Sequence, residues 1–253
     1  MAIRIGDFFK PMELNAPPTD ADYAKVRSFI DAVDAFSRTT NQSIYVIDYY
    51  KQGFLYVSNN PLFLCGEASK DVLRAGYLFY VNHVPTEDLE LLLVINQAGF
   101  DFYNQIPIKD RLKYSIAYDF HLIQGDKRLA LVNHKLTPLV LDNKFNIWLA
   151  LCVVTPSSNE QSGNIILTKK DGICDFKYDL VAKKWIEQKK VKLTAQERQI
   201  IAHAIQGLTI DEISSKMHIS SATVKFHRKN IFTKLNVRNI SEAVSYLSNN
   251  NIF

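Results

Sequence analysis

The chain has 253 residues, a net charge of +4, 47% hydrophobic and 22% charged residues. That length suits two modest domains, each burying its own core, and no apolar run approaches the roughly 20 residues of a membrane-spanning helix. The N-terminus, MAIRIGDFFKPMELNAPP, lacks a sustained apolar h-region and a small-residue cleavage site, so an unsecreted, cytoplasmic protein with no membrane partner is expected. Cys65, Cys152 and Cys174 are odd in number and form no CxxC pair, and the six histidines show no zinc spacing; buried thiols and no metal site are expected.

Charge is unevenly spread. Residues 1–180 carry 18 Lys+Arg against 21 Asp+Glu, whereas residues 181–253 carry 12 against 5. A cationic C-terminal module is the expected partner of a polyanion, and position and charge together point to nucleic acid.

After a loose, proline-containing leader, Thr19 or Asp20 caps a helix to about Arg38, with Tyr23, Val26, Ile30, Val33 and Phe36 in apolar register. SIYVIDYY and FLYVSNN then read as two strands around a Lys51-Gln-Gly53 turn. Short helical pieces follow between Cys65 and Tyr80, then a firmer helix from Thr86, its expected cap, to about Ala98. From Tyr114 the period changes to two: Tyr114, Ile116, Tyr118, Phe120 and Leu122 alternate with polar or small residues, as do Phe145, Ile147, Leu149, Leu151 and Val153. RLALVNHKLTPLVL reads as a strand between them. This order suits an antiparallel five-stranded sheet with helices gathered on one face.

That element order, together with HVPTEDLELL at the entry to the long helix, resembles a PAS domain over about residues 43–158. The resemblance implies a pocket between sheet and helices, a small-molecule ligand or partner, and no nominated ligand contact. No cofactor is expected: the flavin-bonding Asn-Cys-Arg-Phe-Leu type of motif surrounds none of the cysteines, and the long helix holds no histidine for haem. The autoinducer-binding domain of quorum regulators is the alternative, but its Trp/Tyr/Asp constellation is not recognisable around Trp148 and Trp185. A phosphoryl-receiver domain would alternate strands and helices, which this chain does not. Residues 159–190 read as a hairpin turning at Asp171-Gly172, outside the minimal PAS core, followed by a basic linker in which Trp185 packs against a neighbouring surface.

In the remaining segment, residues 191–253, helix starts recur. Thr194-Ala-Gln-Glu197 and Thr209-Ile-Asp-Glu212 fit capping boxes, Gly207 suits a left-handed helix end, and Asn239 opens a last helix. A tight His218-Ile219 turn leads to Ser220, N-cap of a basic helix. Along that helix Val224, Ile231 and Leu235 form an apolar seam with Phe232 at its margin, while Lys225, Phe226 and Lys229 share the opposite arc. Four short helices with a minimal turn between the second and third describe a helix-turn-helix unit. Its recognition helix would place Lys225, Phe226 and Lys229 in the major groove of double-stranded DNA, with Thr223, Arg228, Asn230 and Lys234 on backbone phosphates.

The run LTAQERQIIAHAIQGLTIDEISSKMHISSATVKFHRKNIFTKLNVRNISEAV resembles the LuxR-type DNA-binding domain across some sixty residues. Ser214 stands for the usual Ala, Met217 for Leu and Ile240 for a commonly basic residue; Phe226 occupies a variable position. The resemblance implies a four-helix transcription-factor domain that binds DNA as a homodimer through its last helix. The expected class is therefore α+β, an N-terminal PAS-like sheet unit and a C-terminal all-α unit. No GxGxxG, Walker-type, GxSxG or metalloprotease motif occurs, so a non-enzyme is expected. An enzymatic N-terminal domain fused to a DNA-binding module is the rival class.

Overall fold

The computed structural model describes residues 3–9 and 17–250. Part of the expected leader (residues 1–2 and 10–16) and residues 251–253 lie outside the described residues. The chain divides into two compact units, Met1–Gln188 and Lys189–Phe253.

In the first unit, α1 (Asp20–Ser37) starts at a capping box: Thr19 Oγ1 accepts from Asp22 N, and the Asp22 carboxylate accepts from Thr19 N at 3.0 Å. Strands β1 (Ser43–Asp48) and β2 (Gly53–Val57) pair as an antiparallel hairpin. The Asp48 carboxylate holds its turn, accepting from Tyr50 N and Lys51 N at 3.0 and 3.1 Å. Three short helices, α2 (Pro61–Leu64), α3 (Ser69–Ala75) and α4 (Leu78–His83), lead to the long α5 (Thr86–Gln105). The rest is strand: β3 (Tyr114–Ile123), β4 (Leu129–Leu141), β5 (Ile147–Pro156), β6 (Gly163–Lys169), β7 (Cys174–Asp179) and β8 (Lys184–Lys189).

These strands form one sheet in the order β2-β1-β5-β4-β3-β6-β7-β8. Its first five members are the antiparallel five-stranded sheet expected from the sequence. The other three are the expected hairpin, β6 and β7, and β8, a strand where the sequence reads as a basic linker. β6 pairs with β3, and β8 is a strand because Trp185 is anchored: its ring lies 5.3 Å from Phe102 and 5.0 Å from Tyr178, and its Nε1 donates to Ala98 O.

Helices occupy both faces, not one. β1 is buried along its whole length, which requires cover on each side. Tyr45 and Ile47 belong to the main core with Phe63, Phe79, Leu92 and Phe120. Ile44 and Val46 pack with Val26 and Val33 of α1 and with Trp148. Tyr23 of α1 donates to Asp48 at 2.6 Å, which fixes the helix to the strand. The periodicity of β5 left open which face its apolar set served. Leu149, Leu151 and Val153 join the α1 side, and Ala150, Cys152 and Val154 the main core.

Helix α5 runs beyond the expected end at Ala98 because Phe100 and Tyr103 continue its buried stripe. Its N-cap is Pro85 and not Thr86. Its ring fixes φ, and the Pro85 backbone carbonyl accepts from Leu89 N at 2.9 Å.

The second unit is α6 (Ala195–Ile205), α7 (Ile210–Met217), α8 (Ser221–Leu235) and α9 (Ile240–Asn250). Both capping boxes form, and Gly207 takes a left-handed φ of +82° after α6. Ile200, Ile201, Ile213, Val224, Ile231, Ala243 and Leu247 are fully enclosed. Truncating one of these isoleucines to Ala removes about 2–5 kcal/mol.

Within this core one ion pair stands out. Lys234 Nζ lies 2.7 and 2.8 Å from the two carboxylate oxygens of the buried Glu197. Burial, the largest single influence on that carboxyl, pushes its pKa up. Hydrogen bonds from Lys234 and Thr194 together outweigh it and hold the pKa below the usual 4.5. A carboxylate depressed in the folded state stabilises it above the unfolded pKa and loses that contribution as pH falls through the folded value. Two outcomes are expected. Lys234→Met strands a buried carboxylate and lowers the stability of this unit by about 2–3 kcal/mol in urea melts, less than for a fully buried pair because Lys234 is part-exposed. Glu197→Gln flattens the stability profile below about pH 4.5.

Candidate nucleic-acid interface

The connection between α7 and α8 is built from four side chains and one backbone conformation. His218 ends α7 in the left-handed region, φ 52°, and Ile219 N returns to Ser214 O at 3.1 Å. Ser220 then caps α8 by accepting from Thr223 N at 3.0 Å. Ser221 Oγ donates to Asp211 Oδ1 at 2.7 Å and lies 3.2 Å from Ser214 Oγ, joining the start of α8 to α7. Ser214, where alanine is usual in the family resembled, is buried and also donates to Asp211 O. Its hydroxyl therefore ties α8 to α7 instead of disturbing the core.

Helix α8 is divided as its sequence predicts. Val224, Ile231 and Leu235 are at most 3% exposed. Lys225, Phe226 and Lys229 are exposed, with Phe226 at 61%. The Phe226 ring thus stands in water between the two lysines of a basic arc. Thr223, Arg228 and Asn230 are half-buried on its flanks; the Arg228 guanidinium lies 5.8 Å from the centroid of the Phe232 ring. The His227 ring meets Phe226 at 5.7 Å and is half-buried.

The Lys234 ammonium is held by Glu197, which joins α8 to α6. In the sequence, Glu197 reads only as a capping residue. The signal overlooked was that a helix-start carboxylate on an otherwise buried stripe needs a cation.

The first unit holds a second feature, a cavity of about 60 Å³ between α5 and strands β3, β4, β5 and β6. Its walls are chiefly apolar and carry no charged side chain. Tyr103 lines it, and the buried Tyr103 hydroxyl has no hydrogen-bond partner among the described residues. The Arg111 guanidinium lies 5.2 Å from the centroid of the Tyr103 ring. Burial raises the Tyr103 phenol well above its ordinary pKa, so it is a neutral donor and acceptor. Deeper in the core, Tyr45 Oη meets His134 Nε2 at 2.5 Å and also the Tyr80 hydroxyl, and burial pushes His134 down to about 3. The sequence analysis nominated no cavity residue. Gly99, inside α5 and on the cavity wall, was the available signal.

Among the described residues no group of His, Cys, Asp or Glu is placed to hold a metal ion, and no helix is long and apolar enough to cross a membrane.

Comparison with known proteins agrees with this division. Residues 191–247 match the sequence model of bacterial regulatory proteins, luxR family. The chain is 40% identical to the spore germination protein GerE of Bacillus subtilis over 57 residues, 22% of this chain and 77% of GerE. It is 43% identical over 53 residues to the probable transcriptional regulatory protein SgaR of Hyphomicrobium methylovorum, spanning 21% of this chain and a quarter of SgaR. Among solved structures, the LuxR-type receptor VqmA of Vibrio cholerae aligns over 88% of each chain at 14% identity with a TM-score of 0.31. With its helix-turn-helix geometry and its extended identity to GerE, the chain belongs to the luxR family of bacterial regulatory proteins.

Proposed function

We propose that this protein is a cytoplasmic, homodimeric transcriptional regulator whose PAS-like unit senses a small molecule and controls DNA binding by the luxR-type unit. The observation that carries the DNA part is the division of α8, an enclosed Val224/Ile231/Leu235 seam opposite a solvent-facing Lys225/Phe226/Lys229 arc. In the major groove the lysines donate to guanine O6 and N7, and Phe226 meets a thymine methyl. Thr223, Arg228 and Asn230 hold the backbone on either side and set the register. The protein catalyses no reaction in this reading.

Support for the sensing part is the cavity beneath α5 and its proximity in the chain to an anchor of β8. Ala98 O binds Trp185, while Gly99, the next residue, lines the cavity; Phe102 touches Trp185, while Tyr103 lines the cavity. One helix thus contacts both the cavity and the strand that continues into the segment leading to α6. A ligand that favours one position of α5 would bias the conformation of β8 by the difference in its affinity for the two positions.

Three outcomes are expected. Lys225→Ala combined with Lys229→Ala abolishes footprints on a selected site while leaving the helical circular dichroism unchanged; intact footprints would sink the assignment. Arg228→Ala weakens binding across all sequences and lowers the slope of log affinity against log salt by about one unit, read from anisotropy titrations. Trp185→Ala leaves basal DNA affinity in place and removes its dependence on the ligand recovered with the protein from its host, tested by native mass spectrometry and anisotropy on the same sample.

A further inference from the structure

We infer that the cavity beneath α5 is a binding site for a small uncharged molecule, no larger than a single ring, with one hydrogen-bonding group directed to the Tyr103 hydroxyl. This deepens the sensing reading and rests on it.

Three observations converge. The first is the lining. Ile95, Phe100, Ile116, Leu136 and Ile147 provide apolar walls without a charged side chain among them, so a charged ligand would lose its hydration without compensation. The second is Tyr103. It is 93% buried, and its hydroxyl has no hydrogen-bond partner among the described residues. A buried polar group left unpaired costs about 1–3 kcal/mol, and a ligand oxygen or nitrogen would satisfy it. Ser115 and Asn96 also line the cavity, but Asn96 Nδ2 already donates to Phe8 O at 2.9 Å. Tyr103 is therefore the anchor.

The third observation is Gly99. It sits in the interior of a 20-residue helix, where alanine would favour the helix by about 1 kcal/mol. A Cβ at this position would meet only the end of a flexible side chain, Ile116 Cδ1, at 3.4 Å. Nothing in the packing excludes alanine, and glycine keeps the cavity wall open at a cost to the helix. The volume, about 60 Å³, is under half of the roughly 150 Å³ of an apolar cavity that takes up benzene. A single ring is accommodated only with outward movement of a wall residue. That requirement links occupancy to the position of α5, whose neighbouring residues hold Trp185.

The test uses the full chain and two probes, 4-fluorophenol and fluorobenzene, followed by fluorine NMR titration. Both are expected to bind the wild type, 4-fluorophenol at least tenfold more tightly. Tyr103→Phe should close that gap and leave fluorobenzene unchanged. Gly99→Leu should abolish binding of both. If Gly99→Leu fails to fold by circular dichroism, Gly99→Ala should raise the melting temperature while weakening both probes several-fold. Failure of both probes to bind the wild type, or a gap that survives Tyr103→Phe, overturns the site. DNA affinity measured on the same samples separates the two readings. Probe binding with no change in DNA affinity leaves the site standing and overturns sensing through it, whereas no probe binding in a protein that still binds its DNA overturns the site alone.

Discussion

The constraint on which the first unit depends is that its central strands, β1 and β5, must be dry on both faces. β1 is buried along its whole length, and Leu149, Ala150 and Cys152 of β5 have no exposed surface. An antiparallel sheet with water on one side could not bury such a sequence. Helix α1 therefore belongs to the unit as a second layer and is not a leader to it. The Tyr23–Asp48 hydrogen bond serves this arrangement twice, since the same carboxylate holds the hairpin turn and takes the hydroxyl of the covering helix.

With the sheet covered in this way, the main core is crowded by aromatic rings. Tyr45, Phe54, Phe63, Phe79 and Tyr80 pack ring on ring, and Tyr45, Tyr118 and Phe120 surround His134. Such packing leaves little free volume in the middle of the unit. The space that remains lies at one side, where Gly99 removes a side chain from α5 and β6 extends the sheet past β3. The three added strands thus do more than lengthen the sheet. The first of them places Leu167 on the cavity wall, and the last is the strand anchored by Trp185.

The second unit works from a smaller core and a stricter division of labour. Each of its helix starts is satisfied by a side chain at the cap, so the few apolar residues need only join the helices, and the outer arc of α8 is left for a partner. The Glu197–Lys234 pair belongs to the joining, although both residues look like surface groups in the sequence. Sequence reading assigned Lys234 to phosphate because its charge and helical position suit that role. What it lacked was the location of Glu197, 37 positions earlier and enclosed by α8.

The sequence by itself determined the elements and the division into a sheet unit and a helical DNA-binding unit. Capping boxes, left-handed glycine ends, strand alternation and the split of α8 are set by interactions within a few residues, so they are legible along the chain. The arc of Lys225, Phe226 and Lys229 was legible for the same reason. Tertiary structure alone decided which face of β5 meets which helix, that α5 continues past Gly99, that residues 163–189 join the sheet, and that Lys234 pairs with Glu197. It alone revealed the cavity and its Tyr103 hydroxyl. Each of these depends on contacts between residues distant in the chain, and for such contacts periodicity states that a surface is apolar or charged without stating what covers it.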